Sequence, residues 1–350
     1  MIESILIFLC MIGVLIISHE GGHYLIARAN GIRVVEFTVG VGPAIVKKKK
    51  GDTLFALRAL PFGGACIFDG MYEDEGEENF NDEHTFRNAN VWARIATLFA
   101  GPFFNFLLGF VLSLFVTAFS AWLYPVVIGI TDNSAAEAAG IEEGDRILSM
   151  NGKRVHMAGE VTLMSQLNRG EDITLVIERD GGERTITFTP NYSDEDARYY
   201  MGLYVGKKGS VPLAQLVPYA WYTEKYYFDL TFTSLKMLIH GELTLDNLSG
   251  PVGMVKMVDE TYEEVRPFGL PAVALTMLDL AILLTVNLGV LNLLPIPALD
   301  GGRLLFAFIE VLRGKPIPPE KEGYVHLAGM IALIALMIVV LFNDIGKFIG

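Results

Sequence analysis

The segment His19-Glu20-Gly21-Gly22-His23 places two histidines four residues apart within the first strongly apolar run of the chain. Residues four apart share one face of an α-helix, so both imidazoles can bind one metal ion while Glu20 beside them acts as an acid–base group. A metal ion held in this way activates water for hydrolysis. The competing interpretation is a helix with merely polar histidines at a membrane surface. Ionisable groups at membrane depth are, however, rare and usually functional.

The composition indicates a multi-pass membrane protein. Of the 350 residues, 52% are hydrophobic, and they are concentrated in blocks. Each of four blocks could cross a hydrocarbon core of roughly 30 Å. The predicted spans are residues 4–29, 94–124, 272–294 and 325–342. The first span has no basic start and no small-residue cleavage site, so we expect it to be retained rather than removed as a signal peptide.

The distribution of Lys and Arg in the short loops predicts the orientation of the spans, because cytoplasmic loops carry an excess of these residues. The loops after the first and third spans are the basic ones; their residues are Arg28, Arg33, Lys47 to Lys50, Arg58, Arg303, Arg313, Lys315 and Lys321. Both termini are therefore expected outside the cell, in a plasma or inner membrane. This orientation puts His19 and His23 close to the cytoplasmic side.

Charge and cysteine content exclude some classes of function. A formal net charge of -13 argues against nucleic acid as a partner. Much of the acid lies in residues 69–83, which we interpret as a solvated loop because the segment lacks the ligand spacing of a calcium-binding EF-hand. Cys10 lies in the first span and Cys66 in the following loop, so no structural disulfide is expected.

A catalytic zinc ion requires a third protein ligand and an open position for water. Asp300 is the candidate, in the segment Asn292-Leu-Leu-Pro-Ile-Pro-Ala-Leu-Asp-Gly-Gly302 at the end of the third span. Pro295 and Pro297 break the helix there, and such a break is tolerated where it lines a cavity. Asp279 is a rival acid, expected toward the outer face. The remaining histidines are expected to be ordinary surface or interfacial residues: His84, His156, His240 and His326.

These segments together resemble the site-2 protease family of intramembrane metalloproteases, and its RseP-type bacterial branch fits best. The resemblance is carried, in order, by His19-Glu-Gly-Gly-His23, by Phe99-Ala-Gly-Pro102 with Asn105, and by the Asn292-to-Gly302 segment. Gly21 is a departure, because members of the family commonly have a larger apolar residue there. It is not a ligand position, so activity is expected to survive, although glycine loosens the helix by up to about 1 kcal/mol.

The resemblance implies hydrolysis of a peptide bond in or near the transmembrane helix of a substrate. Zinc would be bound by His19, His23 and Asp300, with Glu20 as the acid–base group and Asn292 holding substrate backbone or the developing oxyanion. Asn105 is interpreted either as a substrate contact or as a polar contact between packed helices. Substrate contacts are also expected at Pro295 and Pro297.

A protease must hold its substrate extended, since a helix offers no free backbone. Residues 34–46 and 52–60 are predicted to be two short strands joined by a basic turn at 47–51. The family has a re-entrant β-hairpin at this place, which the segment Gly40-Val41-Gly42-Pro43 matches. Its edge is expected to bind an unwound substrate by strand addition, with Gly40, Gly42 and Pro43 in contact. The alternative is a surface hairpin whose basic turn binds anionic lipid. Substrate binding and lipid binding are compatible with each other.

Residues 125–205 are predicted to form one extracytoplasmic domain that resembles a bacterial PDZ domain. The match is carried by Ala138-Ala-Gly-Ile141 and Gly144-Asp145, and the pattern around residues 180–183 indicates a β-hairpin. PDZ domains capture peptide termini, but in this family the domain can act as a size filter, which we favour. The aromatic-rich residues 206–271 are interpreted as a membrane-interface region or as packing helices.

The predicted fold is a multi-pass α-helical membrane protein, with four transmembrane helices, a re-entrant β-hairpin and an inserted α+β PDZ domain. Its parts are residues 1–124, 125–205, 206–271 and 272–350. The predicted function is site-2 cleavage of single-pass membrane proteins already cut outside the membrane, such as anti-sigma factors, or of signal-peptide remnants. A sporulation or pheromone protease is disfavoured by the inserted domain. A metal-free scaffold that sequesters clients and a transporter with structural zinc are the alternatives of another class.

Overall fold

The computed structural model describes residues 2–71, 82–194, 198–242 and 249–349. Its helices are α1 (Ile2–Ala29), α2 (Val91–Phe119), α3 (Ala135–Ala138), α4 (Ala158–Gln166), α5 (Leu216–Ile239), α6 (Pro251–Val265), α7 (Leu270–Leu293), α8 (Asp300–Arg313) and α9 (Pro319–Ile349). Its strands are β1 (Val34–Lys50), β2 (Thr53–Phe68), β3 (Trp122–Ile130), β4 (Arg146–Met150), β5 (Lys153–Arg154), β6 (Ile173–Arg179), β7 (Gly182–Phe188), β8 (Asn191–Ser193), β9 (Arg198–Tyr200) and β10 (Leu203–Gly209). The predicted acidic loop lies mostly outside the described residues, which do not include Glu73, Asp74, Glu75, Glu77 and Glu78.

Within the described residues, four helices are long and apolar enough to cross a membrane: α1, α2, α7 and α9. They confirm the predicted spans, with two changes of boundary. The second helix ends at Phe119, before the predicted residue 124, because Trp122 already begins a strand that pairs with β10. The fourth helix extends beyond residues 325–342 at both ends, through polar residues that continue the helix.

Contacts divide the chain into two compact units. The membrane unit comprises residues 1–112 and 231–350, and the inserted unit comprises residues 113–230. The predicted domain at 125–205 falls within the inserted unit. Along the chain, the first strand of this domain begins at Trp122 of β3 and the last ends at Gly209 of β10, so both extend past the predicted bounds.

In the membrane unit, β1 and β2 form a sheet with four arms. The register pairs Phe37 with both Cys66 and Phe55, and Phe55 also with Lys48. The arms therefore lie in the order 44–50, 53–57, 34–39 and 64–68, and the first and last of these are the edges. Gly40 and Gly42, with φ of +88° and +91°, bend β1 between its two arms.

The predicted basic turn at 47–51 is wrong. The four lysines continue β1, paired with residues 53–56 of β2, and the turn consists of Gly51 and Asp52. These lysines are exposed along an outer edge of the sheet, where long charged side chains are well solvated and discourage further strand pairing.

A hydrophobic cluster holds one end of the helical bundle of the membrane unit together. Phe8 of α1, Val258 of α6 and Met277 of α7 are buried in it. The Ser4 hydroxyl of α1 also donates a hydrogen bond of 2.5 Å to the Asp259 carboxylate of α6. This end of α1 lies four to five helical turns from His19 and His23, so the cluster supports the helix that carries them without contributing to their site.

The inserted unit contains an antiparallel sheet in the strand order β10-β3-β4-β6-β7, and the short strand β5 pairs with β4. Its core is formed by fully buried side chains of β4 and β6, which include Ile147, Ile173 and Leu175. Asp145, also buried, accepts two hydrogen bonds of 2.7 Å from Arg179. Burial would raise the pKa of the Asp145 carboxyl, but hydrogen bonds from Arg179 and from the Glu142 amide, together with the charge of Arg179, lower it, so Asp145 and Arg179 form an ion pair.

Candidate active site

Helix α1 presents His19 and His23 on one face, as the four-residue spacing predicts. Both side chains are buried, and their Nε2 atoms lie 3.3 Å apart. Glu20 is adjacent and half-buried. Gly22 lets α1 approach α2 closely, because a Cβ at this position would lie 2.5 Å from the Ala100 carbonyl oxygen.

The third residue, Asp300, reaches this face from the segment between α7 and α8. Helix α7 ends at Leu293, and Asp300 is the first residue of α8. The next two residues are Gly301 and Gly302. The segment folds back on itself here, so a side chain at either position would clash with backbone atoms. A Cβ at Gly301 would lie 2.2 Å from the Leu294 carbonyl oxygen, and a Cβ at Gly302 would lie 2.4 Å from that of Ile296.

The three side chains converge on one point. Asp300 Oδ2 lies 3.1 Å from His19 Nε2 and 3.3 Å from His23 Nε2. Two ligand atoms on a tetrahedral zinc ion, with bonds of about 2.0–2.1 Å, lie roughly 3.3–3.4 Å apart. The donor set of two imidazoles and one carboxylate is also one that zinc accepts. His19, His23 and Asp300 therefore fit a zinc ion and leave a fourth position open.

The surroundings of the Asp300 carboxylate favour a bound cation. In the described part of the chain, Asp300 Oδ2 is buried and has no neighbour that could donate to it except the two imidazoles, so a bound cation would satisfy its lone pairs. Burial alone would raise the pKa of the Asp300 carboxyl, but the two imidazoles hold it well below its usual range. Metal binding requires the ionised carboxylate, which a low pKa favours.

Helix α2 orients both imidazoles through their other nitrogens. His23 Nδ1 donates to the Thr97 carbonyl oxygen over 2.8 Å, which leaves its Nε2 lone pair for a metal. His19 Nδ1 lies 3.1 Å from the Asn105 side-chain nitrogen, and Asn105 Oδ1 is buried without a partner. A 180° rotation of this amide exchanges the two atoms, and the oxygen then accepts from His19 Nδ1–H.

Gly101 of α2 makes room for His23. A Cβ at Gly101 would lie 2.2 Å from His23 Nε2, so any side chain there would displace the imidazole. Gly21, in contrast, has no atom within 4 Å of the position of a Cβ. The geometry of the site therefore requires glycine at position 101 but not at position 21.

A cavity of about 350 Å³ opens beside the three converging side chains. Glu20 and Asn292 line it together with His19, His23 and Asp300. One wall is the edge arm of β2, residues 63–68. Gly64 of this arm lies against α1, where a Cβ would meet the Glu20 side chain at 2.9 Å.

The structure thus brings together five of the residues predicted for the site, namely Glu20, Asn292, His19, His23 and Asp300. Asn105 lies behind His19 rather than in the cavity lining. Pro295, Pro297, Gly40, Gly42 and Pro43 also lie outside the lining. The rivals Asp279, His84, His156 and His240 are not among the residues that converge here, and in the described part of the chain the one group of metal-ligand type is His19, His23 and Asp300.

Sequence reasoning missed four contributors. The Thr97 contact is made by a backbone carbonyl, which leaves no signal in the sequence. The role of Gly101 was hidden in a recognised motif, and residues 63–68 were not predicted to be a strand. His326, expected to be an ordinary histidine, accepts a hydrogen bond from the Ala298 amide over 2.9 Å. Its place in an apolar span was the signal that could have found it.

Two histidines, a carboxylate and an adjacent glutamate, carried among membrane-length helices, define the class of membrane-embedded metalloproteases. The family described as Peptidase family M50 matches residues 7–336, and the chain belongs to this family. It is a zinc metalloprotease of the site-2 protease type.

Relatives of similar sequence carry consistent names. The Zinc metalloprotease RasP of Geobacillus kaustophilus is 31% identical, with 99% of each chain covered. The Regulator of sigma-W protease RasP of Bacillus subtilis is 30% identical, also with 99% of each chain covered. A putative zinc metalloprotease of Clostridium acetobutylicum is 31% identical over 98% of this chain and 97% of its own.

Proposed function

We propose that this chain cleaves peptide bonds within the transmembrane segments of single-pass proteins, with zinc bound by His19, His23 and Asp300. The observation that carries the proposal is the convergence of these three side chains, from a membrane-length helix and from the break after another, within 3.1–3.3 Å of one another. Asn105 and the Thr97 carbonyl fix the orientation of the imidazoles from α2.

The residues of the cavity divide the chemistry between them. Zinc, when bound, acts as a Lewis acid and lowers the pKa of water. Glu20 accepts the proton of the attacking water and returns it to the leaving amine. Asn292, in the cavity lining, donates to the substrate carbonyl oxygen as negative charge develops on it. The buried imidazoles and Asp300 contribute no proton in this scheme, because their role is to hold the metal.

The substrate is proposed to bind along residues 63–68. Among the described strands this arm pairs only with residues 34–39, and it lines the cavity beside Glu20, whose carboxylate accepts a hydrogen bond from the Cys66 amide of the arm. An unwound substrate segment would add to it as a further strand. Gly40, Gly42 and Pro43 would then act indirectly, because their bend lets β1 support the edge arm from behind.

Disulfide cross-linking tests this binding mode. In a protein with Ala65→Cys, Cys10→Ser, Cys66→Ser and Glu20→Gln, single cysteines along the substrate are expected to cross-link at every second position, since strand side chains alternate. Ala44→Cys, on the opposite edge of the same sheet, is the matched control and should cross-link at none. A spacing of three to four residues would show that the substrate binds as a helix.

The substrates are proposed to be proteins already shortened outside the membrane, including anti-sigma factors and signal-peptide remnants. The name of the Bacillus subtilis relative, Regulator of sigma-W protease RasP, supports the first class. An active site of about 350 Å³ between helices also admits an extended segment more readily than a folded domain.

Residues 125–205, within the inserted unit, are proposed to be the PDZ domain and to act as a size filter, followed by an interfacial region at 206–271. A six-stranded sheet with two short helices, α3 and α4, supports the assignment. Gly140 and Gly144, at φ of +77° and +97°, form the turns of the motif that carries the resemblance. Asp145, the last residue of this motif, is buried and accepts a hydrogen bond from Arg179.

Excising this domain distinguishes a filter from a peptide-binding module. Trp122 and Gly209 are paired across the sheet, so a short Gly/Ser linker can replace the residues between them. The wild type is expected to cut only the trimmed substrate, and the excised protein both the trimmed and the intact one. If the excised protein retains zinc but no longer cuts the trimmed substrate, the domain captures peptide instead.

The proposed location is the plasma or inner membrane, with both termini and the inserted domain outside the cell. Support comes from the distribution of Lys and Arg in the short loops. The exposed residues Lys47 to Lys50 at the end of β1 suit anionic lipid on the cytoplasmic side. His19 and His23, which lie 15 and 11 residues before the hairpin begins at Val34, are then near that side.

A further inference from the structure

The segment that delivers Asp300 contains a strained turn. The Leu299 amide donates to the Ile296 carbonyl oxygen over 3.2 Å, with Pro297 and Ala298 between them. Ala298 has a φ of +78°. Proline at the second position and positive φ at the third are the features of a type II turn, in which glycine or asparagine is preferred at the third position. Alanine adopts this conformation only at a cost in free energy, so the surroundings must stabilise it.

Helix α9 stabilises this turn at two points on one face. His326 Nδ1 accepts a hydrogen bond of 2.9 Å from the Ala298 amide, a group that the turn itself leaves without an acceptor. Three residues further on, Gly329 allows close packing, since a Cβ there would lie 2.4 Å from Pro297 Cβ. Only 6% of the apolar window of α9 is buried, and another of its contacts, the hydrogen bond that Asp344 accepts from the Gly253 amide of α6, lies near the far end of the helix.

The environment of His326 selects one tautomer. Its Nδ1 accepts from Ala298 and therefore carries no hydrogen, so the hydrogen is on Nε2. The Glu322 carboxylate, one turn earlier on α9, lies 3.6 Å from Nε2 and favours this state. The ring is held against Phe306 of α8, with ring centroids 5.5 Å apart. His326 thus contacts both the turn before Asp300 and the helix that begins with it.

We propose that His326 is a positioning residue for the metal site. Its hydrogen bond holds Ala298 in the left-handed conformation, and Ala298 sets the direction of the backbone that places Asp300 two residues later. Asp300 Oδ2 must lie about 3 Å from both imidazoles to share a metal with them. A shift of the turn would separate these atoms. The proposal rests on the proposed function, in which Asp300 binds zinc.

A pair of variants tests the acceptor role. His326→Leu removes the acceptor and keeps an apolar side chain, whereas His326→Asn places an oxygen near the position of Nδ1. Zinc affinity, measured by chelator competition on purified protein in detergent, is expected to fall about 10–100-fold for the first variant, as is usual when a residue that orients a ligand is lost. The second variant is expected to recover most of this loss. Thermal unfolding of both variants controls for folding.

Two further measurements report the geometry without activity. The visible spectrum of the cobalt-substituted protein should change for His326→Leu and return toward wild type for His326→Asn. In metal-free protein, hydrogen exchange at the Ala298 amide should accelerate in the Leu variant alone. Ala298→Gly introduced into His326→Leu should restore zinc affinity, because glycine adopts positive φ without an external hydrogen bond.

The possible outcomes separate this proposal from the assignment of the metal site. Wild-type zinc affinity and cobalt spectrum in His326→Leu would overturn the positioning role. Equal losses in the Leu and Asn variants would also overturn it, because ring packing against Phe306 would then be what matters. Undiminished zinc affinity in Asp300→Asn would show that the metal site is misassigned, whereas the exchange rate at Ala298 tests the hydrogen bond independently of zinc.

Discussion

Replacement of Glu20 by Gln is expected to abolish peptide cleavage and to leave the zinc content unchanged. Gln has the shape of Glu and fits the same space beside Gly64, but it cannot accept a proton from water. Loss of a general base typically lowers the rate about 10²–10⁴-fold. None of the three converging side chains is altered, so one zinc ion per chain should remain bound.

The measurement is cleavage of a panel of trimmed single-pass substrates by purified protein in detergent, with bound zinc quantified in the same samples. Glu36→Gln is the matched control, because Glu36 lies on the inner 34–39 arm of the sheet and pairs with Arg58 outside the cavity lining. Cleavage at near the wild-type rate by Glu20→Gln would mean that another group takes the proton. Loss of zinc would mean that Glu20 is itself a ligand.

Gly101→Ala is expected to destroy the metal site although Gly101 binds nothing. The added Cβ would lie 2.2 Å from His23 Nε2, and the imidazole cannot move away freely because its Nδ1 is held by the Thr97 carbonyl. We expect zinc affinity to fall at least about 10–100-fold, as it does when the support of a ligand is lost. Cleavage should fall with it, since the ligand atoms would no longer converge.

Gly21→Ala is the matched control for this prediction. Both changes add one methyl group to a glycine in an apolar helix, but at Gly21 the Cβ meets no atom within 4 Å. This variant should keep its zinc and cleave normally, and the helix should gain up to about 1 kcal/mol in stability. Full zinc occupancy in Gly101→Ala would contradict the prediction and would show that α2 can move away from α1. Chelator competition and thermal unfolding measure both effects.

The two glycines also show where a local departure from a family pattern matters. Gly21 stands where the family resemblance leads us to expect a larger apolar residue, and in the described part of the chain no atom lies within 4 Å of a Cβ placed there. Gly101, in the Phe99-Ala-Gly-Pro102 motif, belongs to the pattern because of a contact with a residue 78 positions away. The sequence alone does not show which of the two glycines tolerates a side chain. The distance from an added Cβ to the nearest atom does show it.

The sequence by itself determined the features that depend on short-range spacing. Two histidines four apart must share a face of a helix, and long apolar runs must form membrane-length helices because their backbone groups require internal hydrogen bonds. Proline and glycine around Asp300 predicted a break there. The hairpin of β6 and β7 in the inserted unit also followed from the local pattern around residues 180–183.

Only the tertiary structure decided which distant groups meet. The convergence of Asp300 on His19 and His23, the support from Thr97 and Asn105, and the hydrogen bond from Ala298 to His326 join segments far apart in the chain. Strand edges are equally non-local. Residues 63–68 line the cavity because β1 bends at Gly40 and brings its two arms into one sheet. Hydrophobic periodicity specifies which face of an element is buried but not which partner covers it, and the cavity wall formed by residues 63–68 depends on that partner.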